Sequence, residues 1–228
     1  MEFDINPLGD SALTIRVAST TDEPARARVR AAVRALESAR LPGVADIVPG
    51  FTTVTLHCDP QTTAWEALRE RIDAALTPAS GADAEEGRLI RIPVCYGGEF
   101  GPDLEEVAAR ASLSAEQVMD LHAAREYRVH VLGFLPGFAY LSGVDPLIAT
   151  PRRSTPRDRV RAGSVGIAGD QTGVYPLDSP GGWQLIGRSP VVLFDPSRTP
   201  PTLLRPGDRI RFNAIDRAEF DRMQVAMP

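Results

Sequence analysis

The sequence contains no lysine; all 25 of its basic residues are arginine. That absence removes whole chemistries. A Walker phosphate loop needs a lysine on the β- and γ-phosphates, and a kinase-type site needs its strand lysine. Schiff-base and pyridoxal enzymes need a lysine amine, and biotin, which is attached through lysine, has no anchor on this chain. Cysteine is also scarce: Cys58 and Cys95 are the only two, neither in a CxxC pair. With three histidines (His57, His122 and His130) there is no HExxH and no paired Cys/His spacing for zinc, so no metal ligands are assigned. Two free thiols in a reducing compartment are expected. Long apolar runs are missing as well. The longest, 129–144, is broken by Pro136 and three glycines and is too short to span a bilayer. The first residues lack the basic and apolar regions of a signal peptide, so a soluble cytoplasmic protein without a membrane partner is expected. A net charge of -5 and a pI near 5.3 argue against a nucleic-acid partner.

What is present is ordinary globular material, 43% hydrophobic and 24% charged over 228 residues, in two halves of different character. Residues 1–76 alternate strand and helix patterns. Residues 11–17 alternate as a strand, and Asp22-Glu23-Pro24 opens a helix with apolar positions Val29, Val33 and Leu36. Strand-like runs at 44–48 and 51–57 are joined by Pro49-Gly50, and Thr63 with Glu66 reads as a capping box for a helix burying Trp65, Leu68, Ile72 and Leu76. The order βαββα, completed by one further strand, is a split βαβ arrangement. The acidic, aperiodic stretch 77–87 reads as a boundary, giving domains 1–85 and 86–228. The strand pattern at 89–94 closes the first sheet or, the preferred reading, opens the second domain. Asp103 caps one short helix burying Leu104, Val107 and Ala111. Ser114 and Gln117 form a capping box for the next, with Leu113 and Val118 as its staple. From Tyr127 onward short β runs, including 128–132, 164–168, 191–194 and 209–213, alternate with Gly and Pro turns, as in a barrel or sandwich.

Four segments of the second half could carry chemistry. Phe134, Pro136, Phe138 and Tyr140 form either an aromatic wall for a flat ligand or a turn with its rings in the core. Residues 152–161 hold five arginines in ten, a positive patch in an acidic protein. Such guanidiniums grip carboxylate or phosphate bidentately, or else pair with surface acids on a solvated loop. The glycine-rich run 162–173 allows close backbone approach to a ligand; its Gln171 and Thr172 suit holding an amide, and Ser164 lacks a placed histidine to make it a nucleophile. Ser179 and Trp183 flank the turn Pro180-Gly181-Gly182, either in a binding role or as a loop pinned by a buried indole. His122 is a candidate base by its ordinary pKa and equally a structural helix-edge histidine.

Taken together, residues 94–104, Gly133-Phe134 with Pro136-Gly137-Phe138, residues 162–169 with Gln171-Thr172-Gly173, and residues 179–187 resemble one family. It is the subunit 1 group that includes one component of bacterial ATP-dependent 5-oxoprolinase, the histidine-kinase inhibitor KipI and proteins named allophanate hydrolase subunit 1. The module also resembles part of the carboxyltransferase region of urea amidolyase. The resemblance implies an α+β chain, a ferredoxin-like N-terminal domain followed by a cyclophilin-like β-barrel. It implies a subunit 2 partner, a companion hydrolase subunit, ATP with magnesium, and a small anionic amide as substrate. In an oxoprolinase, Arg152 and Arg157 would hold the phosphate or substrate carboxylate, Gln171 and Thr172 would orient the amide, and Phe134, Phe138 and Trp183 would wall it. The other readings are a regulatory protein that docks on a sensor histidine kinase and an allophanate- or urea-related hydrolase subunit. Amidase cleavage of allophanate by a Ser-Ser-Lys arrangement is beyond a chain without lysine.

Overall fold

A computed structural model describes residues 3–77 and 87–226. Most of the acidic stretch read as a domain boundary, 78–86, lies outside the described residues. The chain divides into two compact units, Met1–Glu86 and Gly87–Pro228.

The first unit runs β1 (Asp4–Pro7), β2 (Ala12–Arg16), α1 (Glu23–Ala39), β3 (Val44–Pro49), β4 (Thr53–Cys58) and α2 (Trp65–Leu76). Helix α1 starts where the sequence places it: the Asp22 carboxylate accepts the Ala25 N–H at 2.9 Å, and a proline occupies the first turn. From its buried row, Val29, Ala32 and Leu36 pack with Leu68, Ile72 and Leu76 of α2 over Ile15, Val54 and Leu56 of the sheet. The sheet order is β1-β2-β4-β3, all antiparallel, so β4 lies between the two strands that α1 connects. The expected further strand after α2 is not part of this sheet. The outer place beside β2 belongs to β1, which the sequence pattern did not reveal. The capping box at Thr63 is also not formed. The Thr63 hydroxyl donates instead to the carbonyls of Asp59, at 2.6 Å, and Gly43, at 3.3 Å, and Ala64 occupies the cap position without a side-chain bond.

The second unit runs β5 (Leu89–Tyr96), α3 (Leu104–Ala111), α4 (Ala115–Ala124), β6 (Glu126–Leu132), β7 (Ala139–Ser142), β8 (Arg157–Val160), β9 (Ser164–Ala168), β10 (Gln171–Val174), β11 (Ser179–Gly181), β12 (Gln184–Arg188), β13 (Arg209–Ala214) and α5 (Arg217–Ala226). Seven strands close a barrel in the order β10-β7-β6-β13-β5-β12-β9, consistent with the cyclophilin-like expectation. β5 belongs here, paired in parallel with β13. The core fills the barrel with Ile92, Val94, Val129, Leu141, Val165, Ile167, Ile186, Ile210 and Phe212, and Leu104, Val107 and Val118 of α3 and α4 join the same cluster. The Ser114–Gln117 capping box is formed in both directions. The strand expected at 191–194 is reduced to a single bridge, Phe194 with Thr202, in a stretch interrupted by prolines that cannot donate to a ladder. Conversely, the arginine-rich segment read as a loop contains β8, which pairs with β11.

Glycine matters most where backbones touch. A Cβ on Gly101 would stand 2.1 Å from the Ile186 carbonyl oxygen, and backbone cannot yield there as a flexible side chain would. Gly101→Ala is expected to cost about 2 kcal/mol of stability, by analogy with overpacking. It would be read as a lowered urea midpoint, and an unchanged midpoint would contradict this packing.

Candidate functional site

Asp103 organises the site. It stands at the N-cap of α3, yet its carboxylate makes no capping bond, and the residue is 3% exposed. One oxygen, Oδ2, accepts the Leu185 N–H at 2.6 Å, while the Asp103 N–H donates to the Leu185 carbonyl at 2.9 Å. The other, Oδ1, accepts from Arg157 Nη2 at 2.6 Å and Arg153 Nη1 at 3.1 Å. A carboxylate taken out of water needs such partners, because an unpaired buried charge is strongly destabilising. The helix-cap reading of Asp103 is therefore corrected: the residue sits at the cap but spends its charge on two arginines.

The arginine segment is tied down by backbone as well as by charge. Arg157 lies opposite Gly181 across β8 and β11, and the Arg153 N–H donates to the Gly182 carbonyl at 2.8 Å. Gln184 donates from Nε2 to the Pro151 carbonyl at 3.0 Å. Two guanidiniums against one carboxylate leave one positive charge locally. Two enclosed atoms of these guanidiniums, Arg157 Nη1 and Arg153 Nε, have no hydrogen-bond partner. Unpaired buried polar atoms are uncommon in folded proteins, and these two nitrogens remain able to donate.

The aromatic residues resolve towards the core. Phe138 is 1% exposed and Trp183 4%, with Tyr175 packed between them. The Phe138 ring meets Tyr140, Tyr175 and Trp183 edge-on, with centroids 4.9, 5.3 and 5.4 Å away. The glycine run serves these rings, since a Cβ on Gly173 would press on Phe138 and Trp183, and one on Gly166 on Trp183. Phe138 and Trp183 are thus buried packing rather than open walls, although Arg152 covers the indole from outside at 5.9 Å. Phe134 alone is exposed, in a left-handed conformation with φ of 70° that is unusual for a bulky residue. Pro136 is exposed in the same turn.

His122 and Thr172 belong to a different place, the barrel interior. His122 Nδ1 lies 2.8 Å from Tyr96 Oη and Nε2 lies 2.9 Å from Thr172 Oγ1, while Thr172 donates to the Gly166 carbonyl at 2.9 Å. The directions close on themselves. A carbonyl only accepts, so Thr172 gives its proton to Gly166 and accepts from Nε2–H, leaving Nδ1 to accept from Tyr96. Burial pushes the imidazole down to about 3, and its ring stacks on Phe212 at 4.6 Å. With both nitrogens engaged, the ring is built as a neutral structural bridge and has no free base to offer a substrate. Gln171 precedes Thr172 on β10, so its side chain points to the opposite face.

The sequence reading singled out Arg157 but took Asp103 as a helix cap and did not single out Arg153, the residues that the structure brings together. Among the described residues no group of three or more His, Cys, Asp and Glu side chains is arranged to hold a metal ion, and no helix is long and apolar enough to cross a membrane. An open depression lined by Leu36, Arg40, Leu41 and Ile47 lies in the first unit and gathers none of the expected site residues.

Fold and site define a barrel protein with an arginine-clamped carboxylate beside enclosed, unsatisfied polar groups. The chain belongs to the carboxyltransferase domain family, subdomain C and D, whose family model matches residues 3–204. It is similar to the B subunit of 5-oxoprolinase from Bacillus subtilis (strain 168), at 44% identity over 230 residues, covering 96% of each chain. Among solved structures, TTHA0988 is similar at 42% identity and a TM-score of 0.79 over 90% of this chain; the match spans 40% of that longer chain. The K. lactis urea amidolyase, at 18% identity, shares the fold with a TM-score of 0.78 over 96% of this chain and 15% of its own.

The interior histidine gives a pH prediction. Unfolded, the imidazole takes a proton below about 6.5; folded, it resists until about 3. Stability from this residue is complete above pH 6.5 and is lost as pH falls from there towards 3. The urea midpoint of the wild type should drop between pH 6.5 and 4 more steeply than that of His122→Gln; parallel slopes would refute the buried neutral assignment.

Proposed function

We propose that this chain is one subunit of an ATP-dependent lactam hydrolase of the 5-oxoprolinase type. The complex would convert 5-oxoproline, ATP and water to glutamate, ADP and phosphate, with a subunit 2 partner and a companion hydrolase subunit, and this chain would be inactive alone. The name and near-complete coverage of the similar Bacillus subtilis protein support the reading. The observation that carries it is the pair of guanidiniums sharing one Asp103 oxygen, with Arg157 Nη1 and Arg153 Nε still unpaired.

A lactam is a stable amide, and phosphorylation of its oxygen turns the carbonyl carbon into an electrophile that water can attack. What this chain contributes is charge and position: Arg157 and Arg153 hold the substrate carboxylate, and Arg152, over Trp183, adds positive charge at the rim. Preorganised donors of this kind need neither a lysine nor an activated serine. The residues around Asp103 do not fit a magnesium-triphosphate cradle, because its carboxylate is occupied by two arginines and one backbone N–H. ATP and its magnesium are therefore assigned to the companion subunits, and the general base is not sought at His122.

The test is 5-oxoproline-dependent ATP consumption by the reconstituted three-subunit complex. Arg157→Ala should lower kcat/KM by about tenfold to a hundredfold, the range for a lost hydrogen bond to a charged group. Its melting temperature should change little, because Arg153 still pairs the Asp103 carboxylate. Full activity in that variant would remove the anion-holding role. No ATP consumption by the wild type, together with tight binding to a histidine-kinase dimerisation domain, would replace the enzyme reading with a regulatory one.

A further inference from the structure

We infer that the outer face of β6, β13 and β5 is a docking surface for an acidic segment of another protein. Side chains alternate between the two faces along these strands. Tyr127 and Val129 of β6, Ile210 and Phe212 of β13 and Ile92 of β5 fill the barrel core, so their sequence neighbours lie on the outside. Most of those neighbours are arginines. Arg209 stands opposite Arg128 on β6, and Arg211 stands opposite Arg91 on β5. Like charges directly across a sheet repel and weaken the pairing, yet this face carries two such pairs in a protein whose net charge is -5.

Acids do not balance the patch from within. Glu126, in register with Arg211, is taken by Arg209, whose Nη1 lies 3.3 Å away and whose Nε donates to the Gly87 carbonyl at 3.2 Å. Arg128 Nη1 reaches the Gly207 carbonyl at 3.5 Å. Among the described residues Arg91 and Arg211 form no ion pair; Arg91 is exposed, and Arg211 Nε is enclosed without a hydrogen-bond partner. A guanidinium stays charged throughout the physiological range, so the repulsion is not relieved by loss of a proton. Carboxylates from outside relieve it, each gripped by a fork of N–H donors. Neighbouring strands lie about 4.8 Å apart and alternate residues of one strand about 6.6 Å apart, spacings that successive acidic side chains of a peptide can match. The outward residues of the paired stretch include no aromatic ring to stack a base. Leu89, exposed opposite Arg209, offers an apolar contact instead, which favours a protein over a nucleic acid.

The probe is a fluorescent oligoglutamate peptide, titrated with the full chain and followed by polarisation at low and at high salt. The wild type should bind it at low salt and release it as salt screens the charges. The double variant Arg91→Gln/Arg211→Gln should bind about tenfold more weakly, as expected for the loss of two partly exposed ion pairs. Its urea midpoint should stay level or rise, because a like-charge pair has been removed; arginines that merely pack would show the opposite, a lower midpoint with unchanged binding. Arg157→Ala should bind the peptide as the wild type does, and loss of binding in that variant alone would move acid recognition to the Asp103 site and overturn the inference. So would tighter binding of an oligothymidylate of equal charge, which would assign the face to nucleic acid. Absence of peptide binding by the wild type at low salt overturns it without any variant having to fold.

Discussion

A carboxylate removed from water must find its partners within the protein, and Asp103 finds them on separate stretches of chain. Its Leu185 contact holds the start of α3 against β12, and its two arginine contacts hold β8 and the segment before it onto the same point. Because the charge cannot be left bare, these stretches are fixed relative to one another, and the close backbone approach at Gly101 makes the arrangement sterically possible. The excess guanidinium charge and the unpaired atoms nearby are consequences of the same constraint. Two arginines drawn to one acid cannot both be fully satisfied by it.

Two polar networks in the second unit illustrate how satisfaction separates structure from function. The chain from Tyr96 through His122 and Thr172 to the Gly166 carbonyl is complete at every donor and acceptor, so it stiffens the barrel and asks for nothing further. Around Asp103 the network is open at Arg153 and Arg157. A titratable histidine attracts attention in a sequence, but here the unfilled bonding capacity belongs to the arginines that hold Asp103.

Much of the architecture was legible because its causes are local. The Asp22 cap, the first-turn proline and the apolar row fix α1, and the reciprocal Ser114–Gln117 bonds fix the start of α4. Strands β9 and β13 carry apolar residues at alternate positions, Val165 and Ile167 in one and Ile210 and Phe212 in the other. The rest depended on partners far away in sequence. Strand β1 is short and exposed and makes sense only beside β2, and β8 looks like a charged loop until β11 is laid against it. Thr63 matched a capping pattern but had stronger acceptors in the Asp59 and Gly43 carbonyls, a competition that sequence spacing cannot register.

From the amino-acid order alone came the exclusion of lysine chemistry, the two-part layout, the arginine cluster and the family resemblance, since each depends on residue identity or short-range periodicity. Only the tertiary structure decided that Phe138 and Trp183 are packing, that His122 is sealed in the barrel, and that Arg153, Arg157 and Asp103 share one place. The reason is that burial and hydrogen-bond completion are properties of neighbours brought together by the closed barrel. Asp103 and Arg157 are separated by 54 positions in the chain and by one hydrogen bond in the fold.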